Sequence, residues 1–226
     1  MGLGFLVFPE LCPVCGRLLV KGERHICLGC LSDLPYSFFW NWRNNPAEFL
    51  LNELLPVEQA ASLMLYMSES NWKSTVHQFK YYGNKGLGQF LSILLAQKLM
   101  ESGWSDKLDL VVPVPLHWYK EWTRGFNQAG VVAKVIAEKL NLPYEPYLIT
   151  RKRFTFTQTK KDKEHRKKSV ASAFMVKEKY SRLLSGKRVL LVDDVLTTGA
   201  TASSCGKALL DFGALSISVV TLAFVE

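Results

Sequence analysis

The sequence predicts an α/β fold in which helices flank a parallel sheet. Segments with the composition of buried strands alternate with segments of helical periodicity, at the spacing typical of such a sheet. The clearest strand is the apolar run of residues 189–192, because its length and β-branched content suit a strand buried on both faces. The clearest helix covers residues 128–140. Its apolar face comprises Val131, Val132, Val135, Ile136 and Leu140.

The composition of the chain is that of a globular protein. Of its 226 residues, 48% are hydrophobic and 21% are charged, so we expect one domain with an appendage. No apolar run approaches the roughly 20 residues that cross a bilayer, and the first residues lack the basic region and cleavage site of a signal peptide. We therefore expect a cytoplasmic protein without membrane insertion, whose cysteines are metal ligands or free thiols rather than disulfides.

Four of the five cysteines form a metal-binding pattern near the start of the sequence. Cys12 and Cys15 make one CxxC pair, and Cys27 and Cys30 make a second pair, with eleven residues between the two pairs. Four thiolates from two tight turns can close a tetrahedral shell around Zn²⁺, and an all-cysteine shell leaves no open position for catalysis. The pattern predicts a structural zinc knuckle over residues 1–35. The alternative is a loop of reduced cysteines without metal.

A pair of acidic residues follows the apolar run. Asp193 and Asp194 stand at its carboxyl end, where ligands bind in open α/β sheets. The turn into the next predicted helix, residues 202–210, comprises Thr197, Thr198, Gly199, Ala200 and Thr201. Because N–H groups at a helix N-terminus donate hydrogen bonds to phosphate, this turn and the carboxylates suit a ligand with a phosphate and a sugar diol. The carboxylates could also hold Mg²⁺ through water. The alternative is an ordinary turn with solvated aspartates.

Other segments complete the predicted organisation. The first parallel strand is expected at residues 108–115 and the last at residues 216–225. Further strands are predicted at residues 60–66, 143–150 and 171–176, and a helix at residues 86–102. We assign residues 36–75 to a linker or hood-like region and residues 76–226 to the core. Asn127 is expected to cap the helix that follows it, and Lys80 is either a phosphate contact or a solvated lysine.

Most of the formal charge of +8 belongs to one segment. Residues 151–168 hold nine lysines or arginines and two acidic residues. This concentration favours a local contact with an anion over a generally cationic surface. Two interpretations stay open at this point: a solvated run of charges, or a track for the backbone of single-stranded DNA in which Phe154 and Phe156 stack on bases.

The stretch DDVLTTGAT, with its apolar lead, resembles the phosphoribosyl-pyrophosphate (PRPP) motif of type I phosphoribosyltransferases. The resemblance implies a type I phosphoribosyltransferase fold in which Asp193 and Asp194 hold the ribose hydroxyls and residues 197–201 hold the 5′-phosphate. It further implies that pyrophosphate binds the loop after the first strand, helped by Arg124 or Lys120. That loop comprises Val114, Pro115, Leu116 and His117. The basic segment would be a flexible loop that closes over the site, in which Gln158 and Arg166 match the pattern.

Five segments occur in the order found in the ComF family, and this resemblance covers essentially the full length. They are CPVCG…CLGC, FKYYGNK, VVPVPLHWYKEWTRGFNQA, TQ…HRKKSVASAF and the PRPP motif. Members of that family are phosphoribosyltransferase-like proteins associated with DNA uptake in natural competence. The resemblance therefore implies PRPP or a related ribose phosphate as the ligand, Mg²⁺ bound with it, and a competence helicase as a partner.

Two classes of function remain open. One is a transferase that displaces pyrophosphate from PRPP with an unknown nitrogenous acceptor. The other is a non-catalytic factor that uses the same pocket to hold a nucleotide, PRPP or single-stranded DNA. A regulator that senses PRPP is a third interpretation, although no segment resembles a helix that reads duplex DNA. Neither a general base nor an acceptor site can be assigned from the sequence.

Overall fold

The computed structural model describes residues 10–67, 70–81, 83–116, 122–151 and 173–225. In these parts of the chain the strands are β1 (Gln59–Tyr66), β2 (Leu110–Pro113), β3 (Ile149–Arg151), β4 (Phe174–Val176), β5 (Arg188–Leu196) and β6 (Ser216–Val225). The α-helices are α1 (Leu28–Ser32), α2 (Pro46–Asn52), α3 (Lys73–Tyr81), α4 (Lys85–Glu101), α5 (Gln128–Leu140), α6 (Ser181–Leu184) and α7 (Ala200–Asp211). Short 3-10 helices cover Phe39–Asn41, Ser105–Lys107 and Glu178–Tyr180.

A four-stranded parallel sheet forms the centre of the fold, in the order β1-β6-β5-β2. The apolar run of β5 pairs with strands on both sides, and Val189, Leu190, Leu191 and Val192 are all fully buried. Helices α4 and α5 pack against each other, and α5 also packs on β2 and β5. The predicted class, a parallel sheet flanked by helices, is confirmed.

The first strand of the sheet comes from a region that the sequence did not assign to it. Strand β1 pairs in parallel with β6, from Gln59 opposite Ser218 to Tyr66 opposite Val225. It lies inside residues 36–75, which were predicted to form a linker or hood-like region, so part of that range contributes to the central sheet. The composition of a strand cannot show which distant strand will be its neighbour. The division into a knuckle, a linker and a core stays a prediction.

The prediction of one strand over residues 143–150 was wrong. Tyr144 makes only an isolated parallel bridge to Val111, and the chain then turns before β3 begins. Strand β3 pairs with β4 in a separate, antiparallel two-stranded sheet. Tyr147 is exposed in the intervening turn, whereas Leu148 is fully buried.

The elements that carry the candidate site agree closely with the sequence pattern. Helix α5 and strand β6 have the predicted bounds, and α4 and α7 differ from their predictions by one or two residues at each end. The predicted cap was wrong: the side chain of Asn127 makes no capping bond and instead donates to the carbonyl oxygen of Val114 at 3.1 Å. Among the helices described, none is long and apolar enough to cross a membrane.

Candidate functional site

The central site lies at the carboxyl edge of the sheet, where β2 ends and the neighbouring strand β5 continues further. Strand β2 stops at Pro113, opposite Val192, and the N–H of Val114 donates to the carbonyl oxygen of Val192 at 2.8 Å. Strand β5 continues beyond this point, longer than the predicted run of residues 189–192. From Asp193 onward its neighbour is β6 alone, with Asp193 opposite Thr221. The edge of β5 that carries the two aspartates is thereby left open toward β2.

A cleft of about 270 Å³ occupies this open edge. Several residues that the sequence singled out line it: Asp193, Asp194, Thr197, Thr201, Val114, Pro115, Leu116 and Arg124. Thr198, Gly199 and Ala200 belong to the same turn but do not line the cleft. His117, Lys120, Gln158 and Arg166 lie outside the described residues. The structure thus brings the acidic pair, the threonine turn and the loop after β2 to one place.

The turn after β5 has the backbone conformation that the sequence suggests. Gly199 adopts a positive φ of 71° at the N-cap position of α7. A side chain there would be strained, and its Cβ would lie 3.2 Å from Cδ2 of Leu51 on α2. The N–H of Ala200 points back to Oγ1 of Thr198 at 3.5 Å. Glycine is therefore required for the chain to turn from the strand into the helix beside α2.

The two aspartates form a tightly coupled pair. The N–H of Asp194 donates to Oδ1 of Asp193 at 2.8 Å. Burial raises the pKa of Asp193 to about 7, and the neighbouring charge of Asp194 also raises it. On the other side Nζ of Lys80, from α3, lies 3.1 Å from Oδ2 of Asp194. The positive charge of Lys80 lowers the pKa of Asp193 and so partly opposes the effect of burial.

Cationic side chains from three different elements face the acidic pair. Lys80, Arg124 and Arg151 all line the cleft. The fully buried Gln128 connects two of them: Arg124 donates to its Oε1 at 3.2 Å, and its Nε2 donates to the carbonyl oxygen of Lys80 at 3.3 Å. One buried amide therefore holds the C-terminal turn of α3 and the guanidinium of Arg124 at the same cleft.

Sequence reasoning found these cationic and amide residues only in part. The sequence pattern offers Lys80 as either a phosphate contact or a solvated lysine. It places Gln128 at the start of a helix and in the segment VVPVPLHWYKEWTRGFNQA, and it places Arg151 at the start of the basic segment. Two of these, Lys80 and Arg151, come from elements distant in sequence from the PRPP motif. The signal for Lys80 was the segment FKYYGNK, in which it stands just before a glycine turn.

The cysteine knuckle forms a second candidate site. The sulfur atoms of Cys12, Cys15, Cys27 and Cys30 all lie within 4.8 Å of one another, and those of Cys15 and Cys27 are 3.7 Å apart. A tetrahedral Zn²⁺ with bonds of about 2.3 Å would place its sulfur ligands about 3.8 Å apart. The geometry therefore fits one zinc ion, and no other group of three or more metal-ligating side chains occurs among the residues that the structure describes.

Backbone amides support the knuckle's sulfur atoms. The N–H of Cys30 donates to Sγ of Cys27 at 3.4 Å, and the N–H of Cys27 points to Sγ of Cys12 at 3.5 Å. The amide of Cys30 is the main cause that lowers the pKa of Cys27 to about 6. Donors aimed at sulfur favour the thiolate, which is the form that binds zinc.

Comparison with known proteins gives the class and then the family. Residues 123–225 match the model of the phosphoribosyl transferase domain. Among solved structures, the chain resembles the glutamine phosphoribosylpyrophosphate amidotransferase of B. subtilis with a TM-score of 0.45 and 20% identity, over 64% of this chain and 30% of that one.

Two relatives match over nearly the whole chain. The DNA utilization protein YhgH of Salmonella typhimurium is 33% identical over 212 residues, which cover 92% of this chain and 88% of that protein. The competence protein ComFC of Bacillus subtilis is 28% identical over 215 residues, 94% of this chain and 77% of that protein. The chain therefore belongs to the ComF family, within the phosphoribosyltransferase superfamily.

Proposed function

We propose that the cleft at the tip of β5 binds PRPP or a closely related pyrophosphorylated pentose. The observation that carries the proposal is the meeting of three features in one space of about 270 Å³: a pair of aspartates, a threonine-glycine turn that begins a helix, and cationic side chains. A sugar diol donates to carboxylates, a phosphate accepts from the N–H groups of a helix start, and a diphosphate needs positive charge. PRPP carries all three groups.

Each group of the ligand has matching residues. Asp193 and Asp194 would accept hydrogen bonds from the ribose hydroxyls, and the turn of residues 197–201 would hold the 5′-phosphate. Arg124, Lys80 and Arg151 would face the pyrophosphate. The two carboxylates and the ligand's phosphate oxygens fit the oxygen-ligand chemistry of Mg²⁺, which would offset the charge of the diphosphate when bound. Asp193 would then be held ionised, because ligand hydroxyls supply the donors that it lacks in the free protein.

If the protein is a transferase, the same arrangement serves the chemistry. A lone pair of the acceptor nitrogen would form a bond to the anomeric carbon while the bond from that carbon to the pyrophosphate oxygen breaks. The pyrophosphate would leave with the bonding electron pair, stabilised by the cationic side chains. A proton on the acceptor nitrogen would pass to solvent or to a base outside the described residues.

The names of the relatives support a role in the handling of DNA. One is called a DNA utilization protein and another a competence protein. We therefore infer that this chain is associated with DNA uptake in natural competence. Binding to single-stranded DNA through residues 151–168, and to a competence helicase, stay predictions, since nearly all of that basic segment lies outside the described residues.

Isothermal titration with PRPP and Mg²⁺ tests the ligand. The double variant Asp193→Ala/Asp194→Ala should lose roughly a hundredfold or more in affinity, because two charge-assisted contacts are removed. Asp211→Ala is the matched control, since this exposed aspartate lies at the far end of α7, and its affinity should equal that of the wild type. Equal binding by wild type and double variant would contradict the proposal.

Single-stranded DNA is tested separately by gel shift at several salt concentrations. If the basic segment tracks a DNA backbone, neutral replacements at Lys160, Lys161, Lys167 and Lys168 should weaken the shift and reduce its salt dependence. The same variants should still bind PRPP if the strand-tip cleft acts independently. If these replacements do not change DNA binding, the basic segment does not contact the DNA backbone.

A further inference from the structure

The cysteine knuckle contacts α3, the helix that carries Lys80. The hydroxyl of Ser74, in the first turn of α3, reaches the carbonyl oxygen of Pro13, which stands between the first two cysteines of the knuckle. The same hydroxyl lies 2.7 Å from the carbonyl oxygen of Asn71, so its one proton is shared between two acceptors. Ser74 therefore fastens the start of α3 to the knuckle.

The knuckle also contacts α4. The ring of His25 lies against the first turn of this helix, where a Cβ at Gly86 would come within 2.6 Å of Cε1 of His25. The centroid of the same ring is 6.0 Å from that of Phe90. Because glycine leaves room for the imidazole, the knuckle lies directly on the helix. The knuckle thus touches α3 and α4 at the first turn of each.

The opposite end of α3 reaches the cleft. Lys80 lies near the C-terminus of this nine-residue helix, and its Nζ is 3.1 Å from Oδ2 of Asp194. The buried Phe79 holds the same turn against α4 by packing on Gly88, where a Cβ would come within 2.2 Å of the phenyl ring. One short helix therefore contacts both candidate sites, the knuckle at its first turn and the acidic pair at its last.

Helix α3 needs such contacts to stay in place. An isolated helix shorter than about 12 residues is marginal in water, so a nine-residue helix owes its order to what it packs on. If the knuckle unfolds, α3 loses its attachment at Ser74, and the ammonium group of Lys80 is no longer held beside Asp194. Two adjacent carboxylates would then face a negatively charged ligand with less positive charge beside them, which weakens binding.

We propose that the knuckle, when it holds zinc, positions Lys80 at the cleft through α3, so that zinc and PRPP each increase the affinity of the chain for the other. The inference rests on the proposed function, because it takes PRPP as the ligand of the cleft. Ser74 is a positioning residue in this account, since it links the knuckle to α3 without touching the ligand. Coupling between two binding sites is reciprocal, so the same factor should be found from either site.

Titration of PRPP before and after removal of zinc tests the coupling in the full-length chain. A chelator with nitrogen donors takes zinc and leaves Mg²⁺ for the ligand, and desalting then removes the chelator. The affinity for PRPP should fall about fivefold to tenfold without zinc, and added zinc should restore it. Equal affinity in the two forms, or a purified chain that holds no zinc and takes none up, would overturn the proposal.

The variant Lys80→Met tests the path between the two sites. Removal of zinc should change its PRPP affinity by less than about twofold, because the group through which the knuckle acts is already gone. Lys139→Met, at an exposed position near the end of α5, is the matched control and should respond to zinc like the wild type. A response of Lys80→Met as large as that of the wild type would show that general unfolding, and not Lys80, causes the loss.

Zinc affinity gives the reciprocal measurement, without any readout of activity. Competition with a chelator at equilibrium should show that saturating PRPP raises zinc affinity by the same factor. Asp193→Ala/Asp194→Ala corrects for zinc that PRPP itself binds. In Ser74→Ala the factor should fall toward one, although alanine favours a helix more than serine does. Ser181→Ala, at an exposed position at the start of α6, should keep the wild-type factor. An unchanged factor in Ser74→Ala would contradict the role of this contact.

Binding of PRPP to the zinc-loaded wild type separates this proposal from the one on which it rests. If PRPP does not bind that form, the proposed function fails and the coupling fails with it. If PRPP binds equally well with and without zinc, only the coupling fails.

Discussion

The cysteine knuckle brings four thiols together, and the tip of β5 brings two carboxylates together. The two clusters differ in the hydrogen-bond donors that surround them. In the knuckle, backbone N–H groups point at sulfur and lower the pKa of Cys27 to about 6, whereas burial raises the pKa of Cys30. At the strand tip Asp193 accepts one backbone N–H, from Asp194, while burial and the adjacent carboxylate raise its pKa to about 7. The knuckle therefore has the chemistry of a structural cation site. The strand tip has one backbone donor to Asp193, and a ligand with hydroxyl groups would supply more.

This difference separates a structural site from a binding site by physical criteria. A knuckle of so few residues has little apolar core of its own, so we expect it to need zinc in order to fold. The strand tip rests on a sheet whose central residues are fully buried, so we expect the sheet to keep its fold without a ligand. Burial raises the pKa of Asp193 in the free protein, and bound PRPP and Mg²⁺ would favour its ionised form.

Removal of zinc should have the largest effect. Chelation should unfold the knuckle, since structural zinc contributes on the order of 10 kcal/mol in small domains. Hydrogen exchange should then speed up in residues 10–33 while β5 and β6 stay protected. Cys27→Ser should lower the zinc content, and Cys205→Ser, at a buried cysteine outside the knuckle, should keep it. Equal loss of protection in residues 10–33 and in β5 and β6 would contradict the difference between the two regions.

Replacement of Lys80 should have the next largest effect. Lys80→Met removes the partner of Asp194 and a positive charge from the cleft. PRPP affinity should fall roughly tenfold to a hundredfold, as expected for loss of a charge-assisted contact. Zinc content should not change. Titration calorimetry and metal analysis measure the two results, and undiminished PRPP binding would show that Lys80 only neutralises Asp194.

The affinity for PRPP should depend on pH through Asp193. Asp193 must ionise to accept the ribose hydroxyls, so PRPP affinity should fall up to about tenfold for each pH unit below about 7. Because the pKa is raised from 3.8 on folding, the ligand-free protein should lose stability as pH rises from 3.8 to about 7. Asp193→Asn is the control that corrects for titration of PRPP itself. An identical pH profile in this variant would contradict the assignment to Asp193.

The smallest effect concerns an ion pair outside both clusters. Asp109 accepts hydrogen bonds from the guanidinium of Arg188 at 2.9 and 3.0 Å, which lowers the pKa of Asp109 below its usual range. Its contribution should be present above pH 3.8 and be lost as pH falls through the lower folded value. Both side chains are partly exposed, so Asp109→Asn should cost about 1 kcal/mol or less at neutral pH.

Urea unfolding at pH 7 and pH 3 measures this contribution. The difference between wild type and Asp109→Asn should shrink at the lower pH. Glu101→Gln is the control, because its pair with Lys98 is exposed on the surface of α4 and should contribute less. A larger effect from Glu101→Gln than from Asp109→Asn would contradict this account.

The parts predicted well from the sequence depend on local patterns. The knuckle rests on cysteine spacing, and β6 and α5 show clear apolar periodicity, so their bounds were confirmed. The acidic pair was also evident, since Asp193 and Asp194 directly follow a buried run. In each case neighbours in sequence determine the feature, and no distant partner has to be known.

The parts that were missed depend on contacts between distant segments. The place of β1 in the sheet depends on β6, the role of Gln128 depends on Arg124 and α3, and Arg151 reaches the cleft from a small separate sheet. Asn127 was expected to cap a helix by residue type, but the carbonyl oxygen of Val114 is its partner. Residue preferences are weak where a tertiary hydrogen bond competes with a local one.

The pairing of β1 with β6 has a consequence for how the protein is made. About 150 residues separate these adjacent strands, and loop closure over such a distance slows folding. During synthesis β1 must wait, unpaired, until β6 has left the ribosome, and for that time its edge is open to other chains. Chaperone dependence and aggregation of nascent chains should therefore be governed by this late strand and not by the early knuckle.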